Sequence, residues 1–548
     1  MTQREALSYN QVPYPSLSHY STHPDQICTL ARLLGVPAAA VEGCRVLELG
    51  SAAGGNLIPM AYGLPGSEFV GVDISQVQVK QGQKKIKRLG LKNVTLRQMD
   101  ILDYPAPDAP GGLGRFDYII AHGVFSWVPP AVQEKLLEVC RASLTPHGVA
   151  FISYNTYPGW HMINIARGIM RYHTRDIENP KERADKAREY LQFYAKSNQN
   201  GQNGYYGFLS MYADYINGGA EDNVPKYDSA LLHDELEDLN QPFYLHEFVA
   251  RVKEHGLQYL GDLNAARLDS VSNAVLEDVQ KKAKDLIELE QMTDFLLNQT
   301  FRKTLVCHQE VELNRKVRLE QARNFWYSSV IKPVEDTPDI HGRTVVEFRS
   351  TNGLSLKIDH PLSKAAMICL EEAYPLSLTL EELTRRAKAW LEKDGQSVTL
   401  TAADLGALAA NLLKAYSYNP NLVELHVWQP KQVLQAQERP FASRVARYDL
   451  SRQERVTNMI HQRVLLEGLQ RFIFPYLDGK HSISQLLNLI LDGPVAEGTL
   501  TLDENGKQLS KSEQRAALKI ELENTLSWLA QASLLVDESA FGGAAHGN

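Results

Sequence analysis

The run Val46-Leu47-Glu48-Leu49-Gly50-Ser51-Ala52-Ala53-Gly54-Gly55-Asn56 is built from residues suited to holding a ligand. An apolar strand breaks there into a turn of very small side chains, which lets the backbone approach a ligand closely and adopt the torsions of a tight strand-to-helix reversal. Phe69-Val70-Gly71-Val72-Asp73 is a second strand ending in a carboxylate, 25 residues beyond Glu48 (73 − 48), near the spacing at which a dinucleotide fold sets an acid on a ribose. Asp73 is either that ribose ligand or the N-cap of the helix expected over Gln76 to Leu89, and Ser75 is available to do the capping instead. A third strand, Val94 to Ile101, again ends on an acid and an apolar residue, Asp100-Ile101, a pair able to hydrogen-bond an adenine amine and cover its ring. A nicotinamide dehydrogenase is the main competing use of such a turn. It carries three spaced glycines, a pattern that Gly50-Ser51-Ala52-Ala53-Gly54 does not fit.

Taken in order, the Glu48-Leu49-Gly50 turn, Asp73, Asp100-Ile101 and a fourth strand Phe116-Asp117-Tyr118-Ile119-Ile120 make the chain resemble the class I S-adenosylmethionine-dependent methyltransferases, with Ala52 standing where the general pattern has glycine. Val12-Pro13-Tyr14-Pro15, Gly54 to Ala61, Ala121 to Pro129 and Ser153 to Trp160 narrow the resemblance. They are similar to bacterial methyltransferases that carry a methyltransferase regulatory domain, among them the rickettsial outer-membrane-protein lysine methyltransferases. The likeness is good over the first ~310 residues and only an outline beyond, where accessory domains drift faster than sites. It implies an S-adenosylmethionine site at Glu48, Gly50, Ser51, Ala52, Gly54, Asn56, Asp73, Ile74, Asp100, Ile101 and His122. The activity it implies is protein-lysine N-methylation of a bacterial protein, an outer-membrane protein being one candidate. A small-molecule methyltransferase and an inactive cofactor-binding regulator are the alternatives.

Methyl transfer from a sulfonium needs donor and acceptor held in line and water kept out, without a metal or a nucleophilic triad. A lysine acceptor must be neutral to attack, and desolvation beside a sulfonium lowers its pKa. The acceptor pocket is expected at the turns after strands four and five. There lie His122, Phe125, Trp127 and Val128, then Tyr154, Asn155, Tyr157 and Trp160, of which His122, Trp127, Tyr154, Asn155, Tyr157 and Trp160 are the catalytic candidates. Aromatic walls guide an aliphatic stem and attract ammonium, and the Asn155 carbonyl can orient an amine. The competing reading makes Trp127 and Trp160 core aromatics and His122 a cap for the helix after Pro129-Pro130. Methylases of nucleic-acid amines carry an Asn/Asp-Pro-Pro-aromatic tetrad after strand four; Trp127-Val128-Pro129-Pro130-Ala131 departs from it.

The resemblance implies an α/β, Rossmann-like seven-stranded methyltransferase sheet to position these residues. Strand-helix units run from Arg45 to Leu144, and their alternation implies parallel strands. Gly148 to Tyr154 is the fifth strand, Leu257-Gln258-Tyr259-Leu260 the sixth and Thr304-Leu305-Val306-Cys307 the seventh. The last is reached through one amphipathic helix, Val275 to Asn298, capped by Ser272. Residues 1–40, bearing Tyr9, Tyr14, His19 and Tyr20, are expected to form a cofactor-covering segment, as such leaders do in many methyltransferases, the alternative being an extension packed against the sheet. Residues 41–310 are the methyltransferase domain, with a helical insertion over 161–240 placed to act as a lid and a regulatory region over 215–300. A connector over 311–360 holds a β-hairpin turning at Asn352-Gly353. Two mostly helical, winged-helix-like modules follow, over 361–430 and 431–548. Lysines and arginines number 6 against 8 acids in 361–430 and 7 against 11 in 461–548, so nucleic acid is not the expected partner. Substrate placement or homodimer formation fits these modules better, with a purely structural role the alternative.

The 548 residues carry a formal net charge of −8 and five cysteines without paired metal-ligand spacing. A polar N-terminus and the lack of a long apolar span lead to the expectation of a cytoplasmic protein with no membrane insertion. The internal tetrapeptide His233-Asp234-Glu235-Leu236 reads as a chance retention signal, and Asn93-Val94-Thr95 and Asn298-Gln299-Thr300 as chance glycosylation patterns.

Overall fold

The computed structural model describes residues 12–197, 204–218, 226–263, 271–351, 353–393, 395, 397–500, 503–504, 507–508 and 510–537. Tyr9 and Asn352 lie outside them. Seven strands form the main sheet: β1 (Arg45–Leu49), β2 (Glu68–Asp73), β3 (Val94–Gln98), β4 (Phe116–Ala121), β5 (Leu144–Asn155), β6 (Leu257–Asp262) and β7 (Phe301–His308), in the order β3-β2-β1-β4-β5-β7-β6. The strands β1 and β4 are largely buried on both faces because helices cover the sheet on both sides, as parallel strands require. β7 departs from the parallel expectation. It enters between β5 and β6 antiparallel to both.

Local chemistry sets the ends of these elements. Ser75 caps the helix Gln76–Leu89 by accepting from the Gln78 amide, and Gly90, at φ +71°, ends it. β5 begins at Leu144, four residues ahead of the expected Gly148, and runs on to Asn155. The single helix expected over Val275 to Asn298 is two, Asn273–Lys282 and Leu286–Leu297. Asp285 starts the second by accepting from the Glu288 amide at 2.8 Å, while the Ser272 side chain makes no cap bond.

Between β5 and β6 the chain leaves the sheet as the helices Gly159–Thr174, Pro180–Lys196, Gly204–Asn217 and Asp228–His233. They close their own apolar core around Met170, Leu191, Leu209, Ala213 and Leu231. The leader touches the insertion at its start, where His233 Nε2 donates to the Val12 carbonyl at 2.6 Å, and then crosses to the C-terminal half. Its helix Pro24–Leu33 starts with proline at the first position, and the Asp25 carboxylate accepts from the Val427 amide (2.8 Å), the Trp428 amide (3.0 Å) and the His426 ring (2.7 Å). That pairing overcomes burial and raises the His426 pKa to about 10.

The antiparallel hairpin Val346–Arg349/Ser355–Ile358 forms, with Gly353 at φ +87°. Residues 311–360 are nevertheless more than a connector. Trp326–Ser328 is the central strand of a small sheet with Leu378–Thr379 and Glu424–His426, and Phe325, Tyr327, Phe348 and Ile358 share one core with the helices Pro361–Ala373, Leu380–Leu391 and Ala402–Tyr418. The first C-terminal module therefore extends back well before residue 361. The second holds the helices Arg444–Leu450, Gly468–Ile473, Ile483–Ile490 and Lys511–Gln531 and the hairpin Arg455–Thr457/Arg463–Leu465 around a separate core. Among the described residues, no helix is long and apolar enough to cross a membrane. All five cysteines are buried thiols.

Candidate active site

A cavity of about 1070 Å³ opens at the carboxyl ends of β1, β2, β4 and β5, the edge at which open α/β sheets bind ligands. The turn after β1 forms its floor. Gly50 (φ +79°), Ala52 (φ +48°) and Gly54 (φ +73°) all take left-handed torsions, so the alanine occupies a conformation that glycine adopts at lower cost. Asp73 holds that turn: its carboxylate accepts from the Ala52 and Ser75 amides, each at 2.8 Å.

The acid beside the turn is Glu48, on β1. It is buried and takes a hydrogen bond from Asn56 Nδ2 at 2.7 Å on one oxygen; among the described residues the other oxygen, Oε2, has no partner. Burial raises its pKa to about 8; the Asn56 bond opposes the rise and Asp73 adds to it. Burial likewise raises Asp73, against the two amide bonds. An unpaired carboxyl oxygen beside a left-handed turn fits a ligand that brings a donor or a cation, and the residues present fit a nucleoside-bearing cofactor.

Glu48, Gly50, Ser51, Ala52, Asn56, Asp73, Ile74, Asp100, Ile101 and His122 all line the cavity. Gly54 does not. It packs on Leu96 and Ile58, and its contribution is torsional. Neighbouring Gly55 is small for another reason: a Cβ there would collide with the Ser16 carbonyl, so the leader, not a ligand, makes the close approach. Asp100 caps the short turn Ile101–Asp103 through the Leu102 amide at 3.0 Å.

The leader roofs the cavity with Tyr14 and His19, while Tyr20 turns away to donate to Glu424 at 3.0 Å. His122 follows β4. Ser153 Oγ accepts from the Gly123 amide at 2.8 Å and lies 2.9 Å from His122 Nδ1, holding the ring in place. Burial, then His19 and Lys303, pushes the His122 pKa well below its usual value. The ring is neutral and caps no helix; it meets the His19 ring at 3.9 Å.

Trp127 and Trp160 meet edge to face at 5.8 Å in the cavity wall, and Asn155 lines it beside them. Asn155 Nδ2 donates to Asn240 Oδ1 at 2.8 Å, and among the described residues no donor reaches its Oδ1. Tyr154 and Tyr157 are not brought to this wall. Strand alternation sends Tyr154 to the opposite face with Ile152, where it stacks on Phe248 at 4.1 Å and bonds Thr304 at 3.1 Å. Tyr157 stacks on His161 at 4.1 Å and packs on Tyr244.

The insertion, expected as a lid, contributes wall residues that sequence reasoning did not name for the site. Phe208, Met211, Tyr212, Lys226, Asp234 and Glu235 line the cavity. Lys226 Nζ lies 2.8 Å from both Asp234 and Glu235, and Tyr212 donates to Glu235 at 2.9 Å. The two acids belong to the tetrapeptide set aside as a chance signal.

Residues 40–199 match the family model described as a methyltransferase domain, 227–308 the predicted methyltransferase regulatory domain, and 438–534 the PKMT C-terminal winged helix domain. The uncharacterized protein RP789 of Rickettsia prowazekii is 32% identical over 92% of this chain and 89% of its own. RP028 of the same organism is 35% identical over 46% of this chain and 97% of its own. The solved structure of PKMT2 from Rickettsia typhi in complex with AdoHcy superposes with a TM-score of 0.82 at 28% identity, covering 96% of this chain and all of that one. The chain belongs to this family of S-adenosylmethionine-dependent methyltransferases, which join a methyltransferase domain to a regulatory domain and a PKMT winged-helix domain.

Proposed function

We propose that this chain transfers the methyl group of S-adenosylmethionine to the side-chain amine of a lysine in a protein. The observation that carries the reading is one continuous cavity joining the Glu48–Asp73 cradle to the Trp127–Trp160–Asn155 wall. The cofactor supplies an activated methyl group. Glu48, the turn 50–52, Asp73 and Ile101 hold it, and the roof of Tyr14 and His19 keeps water out. The tryptophans flank the lysine stem, and Asn155 Oδ1 accepts an N–H of the neutral amine, turning its lone pair toward the methyl carbon. As the N–C bond forms, the C–S bond breaks with its electron pair going to sulfur, and the methylated ammonium later releases its proton to solvent. His122, whose pKa burial pushes well below its usual value, is not needed for that release.

The match to PKMT2 favours a protein acceptor. Five buried thiols fit a reducing compartment, and we place the enzyme in the cytoplasm. The test is transfer of radiolabel from S-adenosylmethionine into a lysate resolved by size. Label should enter a protein band and vanish when lysines are acetylated beforehand; label confined to small molecules, or surviving acetylation, overturns the reading. Trp127→Ala should lower kcat/KM at least tenfold and leave affinity for S-adenosylhomocysteine unchanged.

A further inference from the structure

Asn56 joins the cofactor turn to two distant parts of the chain. Its Nδ2 donates to Glu48, and its Oδ1 accepts from the His19 amide at 3.1 Å and from His461 Nε2 at 2.8 Å. The Thr22 hydroxyl, 3.0 Å from the same oxygen, has a shorter outlet for its proton in the His19 carbonyl at 2.7 Å. His461 sits in the loop of the hairpin Arg455–Thr457/Arg463–Leu465, within the winged-helix domain. It is 2% exposed and takes φ +63°, a left-handed torsion that a non-glycine residue holds only where its surroundings fix it. The loop is fixed by the His461 amide bonding the Asn458 carbonyl (3.1 Å) and the Gln462 amide bonding Asn458 Oδ1 (2.8 Å). Two further bonds tie the same domain down: Thr457 to Ser18 at 2.9 Å and Lys85 to Asp449 at 2.6 Å.

We propose that His461 is a positioning residue for cofactor binding, fixing the Asn56 amide so that its NH₂ group faces Glu48 and sets the carboxyl in the cavity wall. An asparagine amide has two orientations of similar shape. Two N–H donors aimed at one end require the oxygen there, and the opposite orientation would set the NH₂ group against both of them. The winged-helix domain thereby becomes part of the cofactor site. This inference rests on the cofactor reading of the cavity.

The test is calorimetric titration of the full-length protein with S-adenosylhomocysteine. His461→Asn suits φ +63° but is too short to reach Asn56; His461→Gln keeps an N–H near the position of Nε2. We expect the first to weaken binding five- to tenfold and the second to restore it to within about threefold of wild type. The double variant Lys85→Met/Asp449→Leu, which alters the same domain contact away from Asn56, should bind as wild type does. Unchanged affinity in His461→Asn, or equal loss in both His461 variants, overturns the proposal. Wild-type protein alone gives a second measurement: ligand should slow hydrogen exchange at the amides of residues 458–462, and unaltered exchange there overturns it too. A wild-type protein that binds no S-adenosylhomocysteine removes the cofactor reading itself, a result distinct from the others.

Discussion

If Glu48 meets the cofactor as proposed, affinity should depend on pH in a calculable way. Its pKa is raised from 4.5 to about 8, chiefly by burial, a displacement worth about 5 kcal/mol at ~1.36 kcal/mol per unit. Since the folded-state value is the higher one, this contribution to stability is complete below pH 4.5 and is lost as pH rises through 8. At pH 7 the free protein holds about nine-tenths of Glu48 protonated. A ligand whose ammonium meets the unpaired Oε2 favours the ionised form, so binding should release about 0.9 proton per site and tighten about ninefold from pH 6 to pH 7. Titration calorimetry with S-adenosylhomocysteine in two buffers of different ionisation enthalpy reads both quantities. Glu48→Gln should abolish the slope and raise the melting temperature relative to wild type above pH 8, with little difference near pH 5. Equal wild-type affinity at pH 6 and pH 7, with no buffer-dependent heat, would refute the reasoning.

Asp73→Ala leaves the Ala52 and Ser75 amides without their acceptor, and should weaken S-adenosylhomocysteine binding by about 1.5–3 kcal/mol and lower stability by about 1–2 kcal/mol, read by calorimetry and thermal melting. Lys85→Met strands the buried Asp449 carboxylate and should cost about 3–5 kcal/mol in urea denaturation, most of it recovered by adding Asp449→Leu. Ala52→Gly relieves the left-handed torsion but loosens the unfolded chain, so its stability should stay within about 1 kcal/mol of wild type. Ala52→Val, branched at Cβ, should fall clearly below both in the same melt.

The cavity floor was legible because each of its pieces is local: the small-residue turn follows β1 directly, and Asp73 ends β2. The same locality grouped Gly54 with the residues that line the cavity, since a glycine's torsional use and its use in ligand approach look alike in a sequence. Tyr154 and Asn155 are neighbours that strand alternation sends to opposite faces, and counting parity from Ile152 separates them. The division at Ala283–Asp285 was signalled by Asp285 three residues before Glu288, a cap hidden inside a continuous apolar pattern. Lys226, Asp234, Glu235 and His461 left no such trace. Their place in the site comes from how whole domains pack, and no spacing within the sequence encodes it.

The clasp on the leader has a consequence for how the protein is made. Asp25 bonds residues about 400 positions later, and Ser18 and Asn56 wait for Thr457 and His461. On a ribosome the early residues emerge long before these partners exist, so the roof over the cradle is completed only after most of the chain has been synthesised. Nascent fragments that already contain the entire seven-stranded sheet should therefore capture the nucleoside poorly, and the finished enzyme gains its grip in a late docking step.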